Sequence, residues 1–160
     1  MNRLYFRPLT LADAEQLLYI YGDKEAMKFR ASKPLETLEE AQKMVKQAHL
    51  EQENRSKIRM AVVQKDTEVL IGTAMYFYES TTKVEIGFSI GRDFWKYGYG
   101  QEGTEGLIAY IKEHEASVTT IVGIARSQNE KSLNMLQNIG FTEIVDYKGE
   151  DKRRFELNIR

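Results

Sequence analysis

The chain is 160 residues long, 42% hydrophobic and 29% charged, with a formal net charge of −1; this fits one domain over 1–160 and leaves no electrostatic footprint for nucleic acid or an anionic membrane. It contains no cysteine, which excludes disulfides, thiol nucleophiles and cysteine-ligated metal and agrees with a reducing cytoplasm. No stretch approaches the ~20 apolar residues of a membrane span, and Met1 to Arg7 lacks the apolar run of a secretory leader, so the expectation is a cytoplasmic protein without nucleic-acid or membrane partners.

Leu4 to Pro8 reads as a first strand. Thr10 with Asp13 approximates a capping box and opens a helix whose apolar positions are Leu11, Ala14, Leu17, Leu18 and Tyr21, interrupted at Gly22. A short helical piece follows over Glu25 to Phe29. Thr37 with Glu40 is a full capping box, opening a helix with Leu38, Ala41, Met44, Val45 and Ala48 on one side. The period then changes. Arg59 to Gln64 and Val69 to Tyr78 flank Lys65-Asp66-Thr67-Glu68 as a hairpin, and Ser80-Thr81-Thr82 makes the next turn. Lys83 to Ile90 alternates, with Val84, Ile86, Phe88 and Ile90 on one face and Glu85, Gly87 and Ser89 on the other.

Leu107, Ile108 and Ile111 mark a helix ending near His114. Thr119 to Ala125 is a strand, and Asn129 to Asn138 a helix with Gly140 placed as a left-handed C-terminal cap. Phe141 to Tyr147 and Arg153 to Ile159 make a final strand pair around Lys148-Gly149-Glu150-Asp151. The order β-α-α-β-β-β-α-β-α-β-β, with meander strands first and strand-helix-strand crossovers later, predicts an α/β domain built on a mixed sheet with helices on both faces.

Gly98-Tyr99-Gly100-Gln101-Glu102-Gly103 matches G-x-G-x-x-G between a strand and a helix. Glycines let the backbone approach a ligand closely, and the start of a helix presents unpaired N–H groups and the positive end of its dipole, so a phosphate or pyrophosphate is the natural guest. A dinucleotide site is one reading. Against it, Gly91 to Tyr97 intervene between strand and first glycine, and the acidic residue expected about 20 positions on is replaced by Thr120 to Arg126. Arg126 keeps a 2′-phosphate, and so NADP, open; a turn chosen only for packing is the other alternative.

Glu85-Ile86-Gly87-Phe88-Ser89-Ile90, Phe94 to Glu102, Asn129-Glu130-Lys131-Ser132 and Gly140-Phe141, in this order and spacing, resemble the GNAT acetyltransferase superfamily. With the opening Leu4 to Asp13, they look most like its branch of ribosomal-protein alanine and serine N-terminal acetyltransferases. The resemblance implies a mostly antiparallel mixed sheet with one splayed parallel strand pair, Lys83–Ile90 and Thr119–Ala125. It implies acetyl-CoA as co-substrate and a primary amine as acceptor, either a small molecule or a protein N-terminus. The family loop Gln/Arg-x-x-Gly-x-Gly/Ala falls on Trp95 to Gly100, so Trp95 stands where a polar or cationic contact is usual. Backbone N–H groups from Tyr97 through Gly98, Tyr99 and Gly100 to Gln101 are then the pyrophosphate contacts, with the Tyr97 and Tyr99 rings packing on the cofactor. Phe88, Ser89 and Ile90 match the stretch that pairs with the pantetheine arm. Asn129 matches a cofactor-bonding asparagine, and it is also a good helix N-cap.

Acetyl transfer needs a base for the ammonium, a donor for the developing oxyanion and a proton for the leaving thiolate. Glu85 is the candidate base and a strand N–H near Ser89 or Ile90 the oxyanion donor. Many family members place a tyrosine seven residues after the asparagine; here that residue is Leu136, and Ser132 matches the serine given the acid role in the ribosomal branch. An exposed strand glutamate and a first-turn serine bonding the backbone are the plainer readings of the two. His49 and His114 read as surface or core residues, and no histidine–carboxylate cluster has metal spacing. Lys152-Arg153-Arg154 reads as a solvated hairpin, with an acidic substrate or the adenosine phosphate as the alternative contact. An acyl-CoA-binding module without catalysis remains the reading from a different class. A monomer and a homodimer are both compatible with the sequence.

Overall fold

The computed structural model describes residues 1–30 and 32–160. Strand β1 (Leu4–Pro8) leads through a 3-10 turn (Leu11–Asp13) into α1 (Ala14–Tyr21), followed by α2 (Lys24–Met27) and α3 (Leu38–Glu53). Strands β2 (Ile58–Gln64), β3 (Val69–Tyr78) and β4 (Lys83–Ile90) form the meander; then come α4 (Tyr99–His114), β5 (Thr120–Arg126), α5 (Glu130–Ile139), β6 (Thr142–Glu143) and β7 (Lys152–Asn158).

Local chemistry sets most of these boundaries. Both capping boxes form: Asp13 bonds back to the Thr10 N–H at 2.8 Å, and Glu40 to the Thr37 N–H at 3.0 Å. Arg7 adds a bidentate pair to Asp13, at 2.8 and 2.9 Å, tying β1 to the start of α1. Gly140 closes α5 with φ 117°, in the left-handed conformation expected of a C-terminal glycine. The expected strand over 141–147 shrinks to Thr142–Glu143. Phe141 gives its N–H to the Leu136 carbonyl in completing the cap, and Tyr147 gives its own to Ile144, so neither can ladder with a neighbouring strand.

Among the described residues seven strands lie in the order β1-β2-β3-β4-β5-β7-β6. Every pairing is antiparallel except β4 with β5. That parallel pair is short: it runs from Lys83 opposite Thr120 to Ile86 opposite Gly123 and stops, while both strands continue. Beyond Ile86 the strands part.

Two apolar clusters cover the two faces. Val62, Ile71, Val84, Leu107, Ile111, Ile121, Leu136 and Phe155 pack between the sheet and α4/α5. Leu17, Ile20, Tyr21, Ala41, Val45, Ala61 and Val63 pack between the sheet and α1/α3. The alternation along β4 divides accordingly, with Val84, Ile86, Phe88 and Ile90 against α4 and α5 and Ser89 turned toward α1. Phe88 lies so close to α4 that a Cβ on Gly103 would fall 2.0 Å from its ring; only glycine admits the helix there.

Candidate active site

The point where β4 and β5 part faces the start of α4. Between them, Gly91 to Gly98 carry the chain around a 3-10 turn, Arg92–Phe94, and through two left-handed residues, Lys96 at φ 73° and Gly98 at φ 80°. Gly98 is the N-cap of α4, and the N–H groups that follow it have no acceptor within the helix. At Gly100 a Cβ would meet nothing nearer than Met135 Sδ at 3.8 Å. The fold itself therefore does not demand a glycine at that position, and its bare backbone leaves room for the close approach an anion requires.

The side chains of the loop do other work. Trp95 donates its indole N–H to the Ile90 carbonyl at 3.0 Å, bracing the free end of β4, and Lys131 from α5 lies 5.5 Å from its ring centroid. Tyr99 is buried, its hydroxyl accepting from Gln64 at 2.7 Å, so this ring is core and its backbone alone is left to the loop. Tyr97 is exposed, and Gln101 turns to Glu105 at 3.2 Å. Arg3 reaches across from the chain's start. It bonds Glu102 through its backbone N–H (2.8 Å) and Nε (2.7 Å), donates to the Tyr97 carbonyl (2.8 Å) and lies 4.3 Å from the Tyr99 ring centroid. Burial alone would raise the Glu102 carboxyl, but these bonds from Arg3 together outweigh it and hold it below its ordinary value.

Asn129 caps α5, its side-chain oxygen accepting from the Ser132 N–H at 3.3 Å. Ser132 is half-buried on the first turn. Leu136 is core, over Gly123 of β5. Glu85 is half-buried, opposite Val122 within the last paired stretch and two residues before the strands part at Gly87. Burial, and then the nearby Glu79 carboxylate, raise its pKa; Arg154, Lys152 and Lys57 pull the other way without prevailing. Ser89 shares a hydrogen bond of 2.6 Å with the Tyr21 hydroxyl, which also meets Thr73 at 2.7 Å.

The loop, Ile90, Trp95 and the start of α5 thus come together at one end of the gap, while Glu85 and Ser89 face its α1/α3 side. Sequence reasoning missed Arg3, Tyr21 and Lys131. The polar tip of Tyr21 on an otherwise apolar helix face was the one available signal. Arg126, which kept a 2′-phosphate reading open, spends its guanidinium on Asp151 at 2.6 Å and the Phe29 carbonyl at 3.2 Å. In the 152–154 run, Arg153 pairs with Glu143 at 2.7 Å and Arg154 with Glu79 at 2.7 Å and Glu156 at 3.0 Å. His49 and His114 bond backbone carbonyls, of Leu9 and Tyr110. Among the described residues no group of three or more His, Asp or Glu is placed to hold a metal ion, and no helix is long and apolar enough to cross a membrane.

Comparison with known proteins bears on the family and the fold. The chain is 28% identical over 164 residues to the uncharacterized N-acetyltransferase YoaA of Bacillus subtilis (strain 168), covering 99% of this chain and 92% of that one. Its fold matches RimL, a ribosomal L7/L12 alpha-N-protein acetyltransferase solved with coenzyme A, at TM-score 0.83 and 14% identity, over 99% of this chain and 96% of that one. It also matches spermidine N-acetyltransferase from Vibrio cholerae, solved with CoA and spermine, at TM-score 0.82 and 16% identity, over 99% and 96%. The profile of the acetyltransferase (GNAT) domain family matches residues 3–142, and the chain belongs to that family.

Proposed function

We propose that this acetyltransferase moves an acetyl group from acetyl-CoA to a primary amine that enters from the α1/α3 side of the gap between β4 and β5. The observation that carries the reading is the end of parallel pairing at Ile86–Gly123. It leaves the Phe88–Ser89–Ile90 backbone free of a β5 ladder, beside a helix start with unpaired N–H groups. Acetyl-CoA supplies the activated acetyl as a thioester.

In this reading the N–H groups from Tyr97 to Gln101 hold the pyrophosphate, and Phe88, Ser89 and Ile90 pair with the amide-rich arm. Asn129 caps α5 through its oxygen and has its amide left for the cofactor. Glu85 takes the proton from the incoming ammonium, a task suited to a carboxyl whose pKa burial has raised. Ser132 relays to the departing sulfur the second proton shed by the acylated nitrogen, giving its own hydrogen and regaining one, in place of the tyrosine that Leu136 replaces. An N–H near Ser89 or Ile90 meets the oxyanion.

The acceptor favoured by the branch resemblance is a peptide or protein N-terminal α-amine, with polyamines, aminoglycosides and amino acids as the small-amine alternatives. Thiol release with acetyl-CoA, across short peptides beginning Ala, Ser or Met and a panel of small amines, tests it. Turnover lost in Glu85→Gln and in Ser132→Ala, with CoA binding kept, is the expected result. Full turnover in either variant removes that residue from the chemistry. CoA binding without thiol release for any amine sinks the transfer reading itself.

A further inference from the structure

We propose that the acceptor amine carries an anionic group, a carboxylate or a phosphate, which seats on the paired guanidiniums of Arg30 and Arg59 on the α1/α3 face. This rests on the acetyl-transfer reading above, because it names what the acceptor brings to that face.

Arg59 stands on β2, on the side of the sheet that carries Ala61 and Val63, and its Cα partner on β3 is Met75. Its Nη2 lies 3.3 Å from the Met75 sulfur, a weak acceptor and a poor match for a charged donor. Met75 in turn covers Gly87 of β4, where a Cβ would fall 2.9 Å from the methionine methyl, and Gly87 is flanked on its strand by Glu85 and Ser89. Arg30 follows α2. Its guanidinium lies 5.2 Å from the ring centroid of Tyr21, the residue that bonds Ser89. The preceding carbonyl, of Phe29, is held by Arg126 at the end of β5. Both arginines therefore border the mouth of the gap, one from the sheet and one from the loop.

Each has a buried Nε with no hydrogen-bond partner among the described residues. The contrast with the rest of the chain is plain. Arg3, Arg7, Arg55, Arg92, Arg126, Arg153 and Arg154 meet carboxylates, and Arg160 meets backbone carbonyls. A buried guanidinium edge without an acceptor is costly, and the like charge of Arg30 adds to that cost at Arg59. Burial holds the Arg59 pKa below its ordinary value, and Arg30 pushes the same way, against Tyr21 and Glu51. An anion arriving here would meet the terminal guanidinium nitrogens, in the forked geometry a guanidinium offers to carboxylate or phosphate oxygens, and its charge would offset the cost of the buried edges.

Spacing sets the size of the acceptor. From β2 across to β4 is about 10 Å at ~4.8 Å per strand, and the arginine side chain spans part of that distance. The anion then sits a few bonds from the reacting nitrogen, as in an amino acid, an aminoalkyl phosphate or a peptide with an acidic group in its first two residues.

The test compares the acceptors Ser-Glu-Ala-Ala amide, Ser-Gln-Ala-Ala amide and phosphoethanolamine with acetyl-CoA, and measures binding of the two peptides to the CoA complex by calorimetry. The expected result is a kcat/KM about tenfold or more higher for the glutamate peptide than for the glutamine peptide, falling toward parity in Arg59→Gln. Turnover of phosphoethanolamine above that of ethanolamine assigns the site to phosphate as well; the reverse confines it to carboxylates. Equal kcat/KM and equal affinity for the two peptides overturn the proposal, as does a preference that survives both Arg59→Gln and Arg30→Gln. If Arg59→Gln fails to fold, Arg30→Gln, outside the sheet, carries the comparison. Tighter binding of the glutamate peptide without acetyl transfer keeps the anion site and sinks the transfer reading instead.

Discussion

Glu85 sits two residues short of the point where β4 and β5 part, and its half-buried carboxyl is pushed above the ordinary glutamate value. Ionising it therefore costs the folded protein more than the unfolded chain. The penalty is absent below the unfolded-state pKa, grows as pH rises, and is complete above the raised folded value. Glu85→Gln should melt higher than the wild type at about pH 8, with the difference vanishing near about pH 4. In activity the same residue should give the rising limb of the pH profile of kcat/KM, and that limb should flatten in the variant; a glutamine variant with an unchanged limb removes Glu85 as the base. Asn129 caps α5 and, in the proposed reading, also bonds the cofactor, and substitution separates the two. Asn129→Ala should cost about 1 kcal/mol in a denaturant titration through the lost cap. Asn129→Asp keeps the capping oxygen, so its stability should hold while CoA affinity falls. The placement of both residues was legible because its clues are local: a carboxylate on an alternating strand, an asparagine opening a helix. The Trp95 and Tyr99 side chains were not, since partners on other elements, Ile90 and Gln64, decide where they point.

At the scale of elements, the start of α4 is held by the start of the chain. Arg3 ties β1 to Glu102 and the Tyr97 carbonyl, and nothing in its near sequence signals a partner 99 positions away. The pair is surface-lying, with Arg3 44% exposed, so it contributes little to global stability. Its expected effect is on the loop: Arg3→Ala should raise the CoA Kd by about two- to fivefold while moving Tm by less than about 1 kcal/mol would. Gly98→Ala acts on the same loop by another route. A side chain at φ 80° costs about 1–2 kcal/mol, so both Tm and CoA affinity should fall together. Element order was readable from hydrophobic period and caps. The short β6 was not, because Phe141 and Tyr147 have strand-like side chains but commit their backbone N–H groups to cap and turn.

Across the whole molecule, the sheet separates two cores, and the gap opens between them where the ladder ends. The larger cluster, around Leu107, Ile111 and Phe155, holds α4 to the sheet. Leu107→Ala should cost about 2–5 kcal/mol in urea unfolding, since this side chain is fully buried. The sheet order that brings β4 beside β5 was foreseen through the family resemblance, because strand signals in a sequence do not say which strands are neighbours. The proposed joint role of Arg30 and Arg59 lay beyond reach for the same reason: one follows a short helix, the other stands near the start of a strand.

The clasp at the chain's start also bears on how the protein is handled. Met1 packs against α4 at Gly106 and accepts a hydrogen bond from Lys65 at 3.1 Å, two residues ahead of the arginine that braces the loop. A purification tag fused before Met1 would need room in this contact, and preparations carrying one should bind CoA less tightly than the same protein tagged after Arg160. Affinities from differently tagged samples would then disagree for a reason that lies in the fold rather than in the assay.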